Sequence, residues 1–294
     1  VDVVVSGDYA FAAEAPVSKT DKQNRVTTQG GGLRVVNVSD PKAPEWCGYA
    51  KTSGEAKGVF VSGKLAYVVT THFMSYRHNH EPQSGGELHI FDISEPVKPV
   101  EIGKYHSRLS LKQVLVFQDR AYLLGDDVPI EKTDTGWIRH YQSNYSSLLI
   151  MDVSNPRKPR KIGEYKTRTM TMDVVLDGSS VILLTSGVMK TGGGSAFNYR
   201  GNLLMLDATH PSNISLKRKY MYITGGIRLS ILGDYILIAE KDGSLHVIDR
   251  TNNINRGDVG FWRLDTEPTA ISAKNDVIYV STGNRLQIFQ LPWN

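Results

Sequence analysis

One pattern returns along this chain and constrains what it can fold into more than any other feature. Leu88 to Arg108 reads L-H-I-F-D-I-S-E-P-V-K-P-V-E-I-G-K-Y-H-S-R, and the same order of residue types recurs at Leu33 to Thr52 and at Leu148 to Arg168. Each copy alternates apolar residues, reaches Asp or Asn, turns through Ser-x-Pro-x-x-Pro and leaves on a Gly-containing segment. Alternation of period two followed by a Pro-locked turn is the signature of paired strands, and its repetition means one supersecondary unit builds the chain.

Upstream of each copy lies an apolar-x-apolar-x-Gly segment. Six inner strands are expected, at Val3 to Gly7, Val59 to Gly63, Val114 to Gln118, Val174 to Gly178, Leu229 to Gly233 and Ile271 to Asn275. Links such as Gly-Asp, Gly-Lys and Asn-Asp join each to a second strand, because these residues tolerate the left-handed backbone of tight hairpins. A third strand ends on the ladder Asn37, Asp92, Asp152, Asp207, Asp249 and Gln290, spaced by 55, 60, 55, 42 and 41 residues. A fourth strand follows in five copies, and the sixth stops at Pro292-Trp293-Asn294 without one. The last unit is therefore expected to stay three-stranded or to be completed by residues upstream of Val1.

Four antiparallel strands per unit at ~40 residues or more predict an all-β fold, a β-propeller of six blades. The expected blades are 1–52, 53–108, 109–168, 169–223, 224–266 and 267–294, within a single domain. An open β-solenoid is the alternative, and the hairpin turn chemistry argues against it. No apolar run approaches the ~20 residues of a membrane-crossing helix. The 34 basic and 30 acidic residues are interspersed, which leaves no basic stripe for nucleic acid. A lone cysteine, Cys47, excludes an intrachain disulfide and reads as a small buried apolar residue.

The units L-R-V-V-N-V-S-D-P at Leu33, L-H-I-F-D-I-S-E-P at Leu88 and L-L-I-M-D-V-S-N-P at Leu148 resemble the LVIVD-repeat proteins, as do V-V-V-S-G-D-Y-A-F-A-A at Val3 and V-F-V-S-G-K-L-A-Y-V-V at Val59. That bacterial and archaeal group consists of β-propellers typically exported from the cytoplasm. The resemblance implies a propeller and an extracytoplasmic location, periplasmic, cell-surface or secreted. It brings no catalytic motif, and the Trp-Asp and Gly-His signatures of the tryptophan-aspartate propellers are missing.

Three places in the repeat are candidates for function. Four long connections between second and third strands, at Glu14 to Gly32, Thr71 to Glu87, Asp126 to Ser147 and Ser186 to Asn202, are longer than compact folds usually allow. In a propeller they share a face with the links between blades, so a binding surface is expected there, carried by Phe73, Tyr76, Trp137, Tyr141, Tyr145, Phe197 and Tyr199. The second connection holds His72, His78, His80 and Glu81, and the third holds His140, residue types that together could bind a transition metal. Calcium is an alternative ion, and no organic cofactor is expected. The heads of the inner strands bring Asp2, Lys57, Gln113, Asp173 and Arg228 to the axial funnel, where mixed charge could orient a small ligand. His89 and His246 share one repeat position and read as packing residues. The ladder carboxylates read as Asx turns.

The leading expectation is a non-catalytic propeller that presents its loop-rich face to a protein or cell-surface partner. A metal-dependent extracytoplasmic enzyme and a subunit of a larger redox or surface assembly are the alternatives.

Overall fold

The computed structural model describes residues 2–20, 26–29, 31–71, 85–127, 130–133, 136–139, 145–167, 169–190, 197–221, 225–251 and 258–290. They form two compact units, Val1–Thr167 and Arg168–Asn294. In the first unit, β1 (Asp2–Ser6), β2 (Tyr9–Glu14), the ribbon β3 (Val17–Thr20) and β4 (Val26–Gln29), β5 (Gly32–Asn37) and β6 (Glu45–Lys51) make blade one. Blade two has β7 (Glu55–Ser62), β8 (Leu65–Thr71), β9 (Gly86–Asp92) and β10 (Val100–Ser107). Blade three has β11 (Ser110–Phe117), β12 (Arg120–Asp126), the ribbon β13 (Ile130–Thr133) and β14 (Gly136–Arg139), β15 (Ser146–Asp152) and β16 (Arg160–Lys166).

The second unit continues with β17 (Met170–Asp177), β18 (Ser180–Lys190), β19 (Phe197–Asp207) and β20 (Ser215–Met221) in blade four. Blade five has β21 (Gly226–Leu232), β22 (Tyr235–Glu240), β23 (Ser244–Asp249) and β24 (Asp258–Arg263), and blade six has β25 (Pro268–Lys274), β26 (Val277–Thr282) and β27 (Arg285–Gln290). Every blade is one antiparallel sheet in up-and-down order, five with four strands and the last with three, as a six-bladed β-propeller requires, and the two ribbons pair as separate two-stranded sheets. Among the described residues the only helical turn is a 3-10 turn at Pro211–Asn213.

Apolar alternation decides where the core lies. Within the first unit, Phe11, Leu33 and Val35 of blade one meet Val59, Val68 and Phe91 of blade two, while Leu88 and Ile90 meet Leu111, Val114 and Leu123 of blade three. Within the second, Leu184 and Leu203 pack on Leu229 and Ile238, and Leu245 and Val247 pack on Ile278 and Val280. In blades two to five the second and third strands are thus largely buried on both faces, each such Leu, Ile or Val contributing about 1.5–3 kcal/mol.

Two β-bulges recur in the blades. Inner strands carry an extra residue just before the funnel position, at Lys57, Lys112, Met172, Ile227 and Thr269. Outer strands carry one at Cys47, Ile102, Ile162, Lys217 and Val259. Cys47 takes the station that Ile102 and Ile162 hold in the next blades, which fits its part in the apolar packing of blade one. The glycine after the outer bulge is explained by proximity. A Cβ on Gly48 would lie 2.6 Å from the Pro96 carbonyl oxygen of the next blade's turn, and one on Gly103 would lie 1.9 Å from that of Pro156.

The ladder residues close Asx turns. Asn37, Asp92, Asp152, Asp207 and Asp249 each accept through Oδ1 the backbone N–H two residues on, at 2.8–3.0 Å. The hairpin links use left-handed backbone at Gly7, Gly63, Gln118, Gly178, Gly233 and Asn275.

Two features depart from the expected strand map. Inner strands of blades two to six begin three or four residues early, because the bulged segment still pairs. Among the described residues, two-stranded ribbons are built on long connections at β3–β4, at β13–β14 and in the distal halves of β18 and β19, which pair out to Lys190 and Phe197.

Candidate functional site

The funnel positions act between neighbouring blades. Asp2 Oδ2 accepts the backbone N–H of Val59 at 2.9 Å, so the head of β1 is tied to the inner strand of blade two. Asp173 repeats this in the second unit, accepting Leu229 N–H at 2.7 Å through Oδ2 and Val174 N–H at 2.9 Å through Oδ1. Arg228 reaches the Thr269 carbonyl at 2.9 Å with Nε, and its own-strand Ile227 carbonyl at 2.8 Å with Nη1. Lys57 pairs with Glu55 at 2.6 Å. Gln113 follows the inner bulge of β11, where its Cα would lie 3.2 Å from a Cβ on Gly58. One inner strand is thus stapled to the next, through edge N–H and C=O groups that would otherwise lack a strand partner.

Within each unit, the stems of the long connections stand beside the links between blades. In the first, Thr52 N–H donates to Gly31 C=O at 3.3 Å and Thr167 N–H to Ser146 C=O at 2.8 Å. Glycines at 54 and 85 press on Thr71 and Ser107 in the same way. In the second, the short connection of blade five stands beside its links in the same way, with Lys241 N–H donating to Gly225 C=O and Leu264 N–H to Gly243 C=O. Of the aromatics expected on this end, Tyr145 is 57% exposed at the foot of the third connection. Trp137 lies on β14 opposite Lys132, and Phe197 and Tyr199 occupy alternate positions of β19. Phe73, Tyr76, Tyr141, and the metal candidates His72, His78, His80, Glu81 and His140 lie outside the described residues. Among the described residues no group of three or more His, Cys, Asp or Glu is placed to hold a metal ion.

A polar cluster occupies the same end of blade two. His89, 1% exposed, has Glu101 Oε2 at 2.7 Å from Nδ1. On its other nitrogen, Nε2, it meets Ser53 Oγ and Glu87 Oε2, each at 3.3 Å. The Ser53 hydroxyl donates to Glu87 Oε2, and Lys104 and His106 stand 3.7 Å from Glu87 Oε1. Phe91 stacks on the imidazole at 6.1 Å.

The LVIVD repeat family matches residues 1–15, 53–72, 83–107, 143–167 and 227–253, and each matched stretch falls on blade strands already described. The chain carries LVIVD repeats on a six-bladed β-propeller fold. Two solved structures share the architecture. The computationally designed Ika8 protein aligns over 99% of this chain and 95% of its own, with a TM-score of 0.53 and 7% identity. Sqt1 of Saccharomyces cerevisiae aligns over 90% of this chain and 79% of its own, with a TM-score of 0.54 and 10% identity. At such identities the likeness is one of fold. No curated protein sequence matches.

The LVIVD unit explains how the blade-two cluster forms. The station three residues before the ladder is Arg34, His89, Leu149, Leu204 and His246 in successive blades. Because of the outer bulge, two residues three apart on the fourth strand pair with the station residue and with the residue two beyond it, so all share one face. Lys104 lies opposite His89 and Glu101 opposite Phe91. In blade one, Tyr49 and Trp46 flank Arg34, whose guanidinium lies 4.1 Å from the Trp46 ring and is held at 2.7 Å by Glu14. In blade three, Lys161 and Glu164 pair at 3.0 Å. Burial pushes the Glu164 carboxyl up, but hydrogen bonds from Lys161 and Ser147 outweigh it and leave the group below the ordinary carboxylate range. In blade five, His246 lies 3.6 Å from the buried Glu240. Sequence reading missed Ser53, Glu87 and Glu101, since no motif spacing links them. The one signal was a histidine, His89 and again His246, at a station that blades one, three and four fill with Arg or Leu.

Proposed function

We propose that this LVIVD-repeat propeller is an extracytoplasmic binding protein that uses the end of the blades carrying the inter-blade links to hold a protein or cell-surface partner. The observation that carries the reading is the form of the long connections. Among the described residues, three of them are built on hydrogen-bonded ribbons, with Trp137, Phe197 and Tyr199 placed on ribbon strands. An ordered ribbon loses less conformational entropy on binding than an open loop, and aromatic side chains supply contact area at low entropic cost. The exported nature of the family supports the location, and among the described residues no helix is long and apolar enough to cross a membrane.

The test is to shorten the ribbons. Replacing 128–144 and 187–200 by four-residue turns like Lys241–Ser244 should leave the thermal unfolding midpoint within a few degrees. It should also remove binding of the labelled protein to envelope fractions of its native source. Equal binding by the trimmed and full-length proteins, or no binding by either, overturns the proposal.

A further inference from the structure

We propose that Ser53, His89 and Glu101 form a hydroxyl–imidazole–carboxylate relay, in which Ser53 attacks carboxylic ester groups at the stem of blade two. The inference goes beyond the binding reading and does not depend on it.

The relay is defined by geometry. Ser53 Oγ and Glu101 Oε2 sit at opposite nitrogens of one ring, 3.3 Å from Nε2 and 2.7 Å from Nδ1. A nucleophile within reach of a base that a third group orients is the arrangement by which serine hydroxyls are activated on unrelated folds. The order of exposure is also the useful one. Ser53 is exposed in the link between blades, where an ester can reach it, while the base beneath is shielded. The ring is fixed by Phe91 on one face and by Glu101 on its edge.

The fold itself does not demand this grouping. Blades three and four place Leu149 and Leu204 at the His89 station, and blade one places Arg34 there. At rest the Ser53 hydroxyl donates to Glu87 Oε2 beside the ring, and rotation about the Cβ–Oγ bond turns its proton to His89 Nε2; Lys104, 3.7 Å from Glu87 Oε1, offsets the carboxylate charge.

The chemistry balances without a co-reactant other than water. Ser53 Oγ bonds to the ester carbonyl carbon as its proton passes to His89 Nε2. The acyl C–O bond then breaks, and the departing alkoxide takes that proton to leave as the alcohol. Water, deprotonated by the same nitrogen, cleaves the acyl-serine, which restores the hydroxyl and releases the carboxylic acid. Ser53 and His89 are the catalytic residues, and Glu101 is a positioning residue that acts through the ring.

The experiment uses the whole protein and two probes, a fluorophosphonate and p-nitrophenyl acetate. Peptide mass spectrometry should find the phosphonyl adduct on Ser53, and Ser53→Ala should lose both the adduct and the ester turnover. His89→Gln should slow labelling about 100-fold or more, the usual contribution of a positioned base. Glu101→Gln should slow it about 10-fold or more and change its pH profile, with Glu101→Asp recovering part of the rate. His89 is buried, so if its variant fails to fold by circular dichroism, the exposed Glu101 pair decides. Absence of an adduct on Ser53 overturns the proposal, as does labelling that is equally fast in Glu101→Gln or in folded His89→Gln.

Discussion

Single residues in this propeller are chosen by contacts that the repeat imposes at a distance. The glycine that the repeat carries in its fourth strand sits inside β10, where the backbone of the next blade's Pro turn passes over it. With only 1.9 Å available between a Cβ on Gly103 and the Pro156 carbonyl oxygen, the two backbones must move apart to admit even alanine. Gly103→Ala is expected to cost about 3 kcal/mol, at the upper end of overpacking effects, read as a lowered urea midpoint with an unchanged slope. The ladder aspartates show the converse, a local rule that holds without tertiary help. An Asp followed two residues later by Ser or Thr closes its own turn, and the structure contains that bond in blades two to five.

At the scale of the element, strand order and hairpins were legible because period-two alternation and turn residues are local. The bulges were not. An extra residue in one strand appears only when its partner strand is known, yet it decides which side chains share a face. Glu101 and Lys104 flank His89 for that reason, and Lys161 meets Glu164 for the same one. The inner bulge has its own consequence, since it leads into the funnel position from which Asp173 ties β17 to β21. Asp173 is 7% exposed and satisfies two backbone N–H groups. Asp173→Ala should therefore lose about 2 kcal/mol or more, because both donors are left behind. Asp173→Asn keeps an acceptor oxygen and should lose about half of that, which equilibrium unfolding of the two variants will show.

For the whole molecule, acid stability follows from the aspartate turns that blades two to five repeat. The side-chain and backbone bonds from Ser154, together with Arg160, bring the Asp152 carboxyl from its ordinary 3.8 down to about 2. Ser94 lowers Asp92 through its backbone N–H first, and the Thr209 hydroxyl lowers Asp207. A group whose folded-state pKa is depressed adds stability above its unfolded value and loses it as pH falls through the folded one. Unfolding free energy should hold level on acidification to about pH 4 and then decline toward about pH 2. Asp152→Asn can still accept the Ser154 N–H but cannot titrate, so its deficit relative to the parent should narrow across that window in denaturant titrations at fixed pH.

The sequence by itself determined the six hairpin-based blades, the Asx turns and the repeat family, because alternation, turn chemistry and repetition each act over a few residues. Tertiary structure alone decided that the funnel aspartates are inter-blade staples, that long connections are built as ribbons, and that Ser53, Glu87, His89 and Glu101 meet. Those outcomes depend on strand register and on the packing of one blade against the next, which join residues tens of positions apart and leave no fixed spacing in the chain.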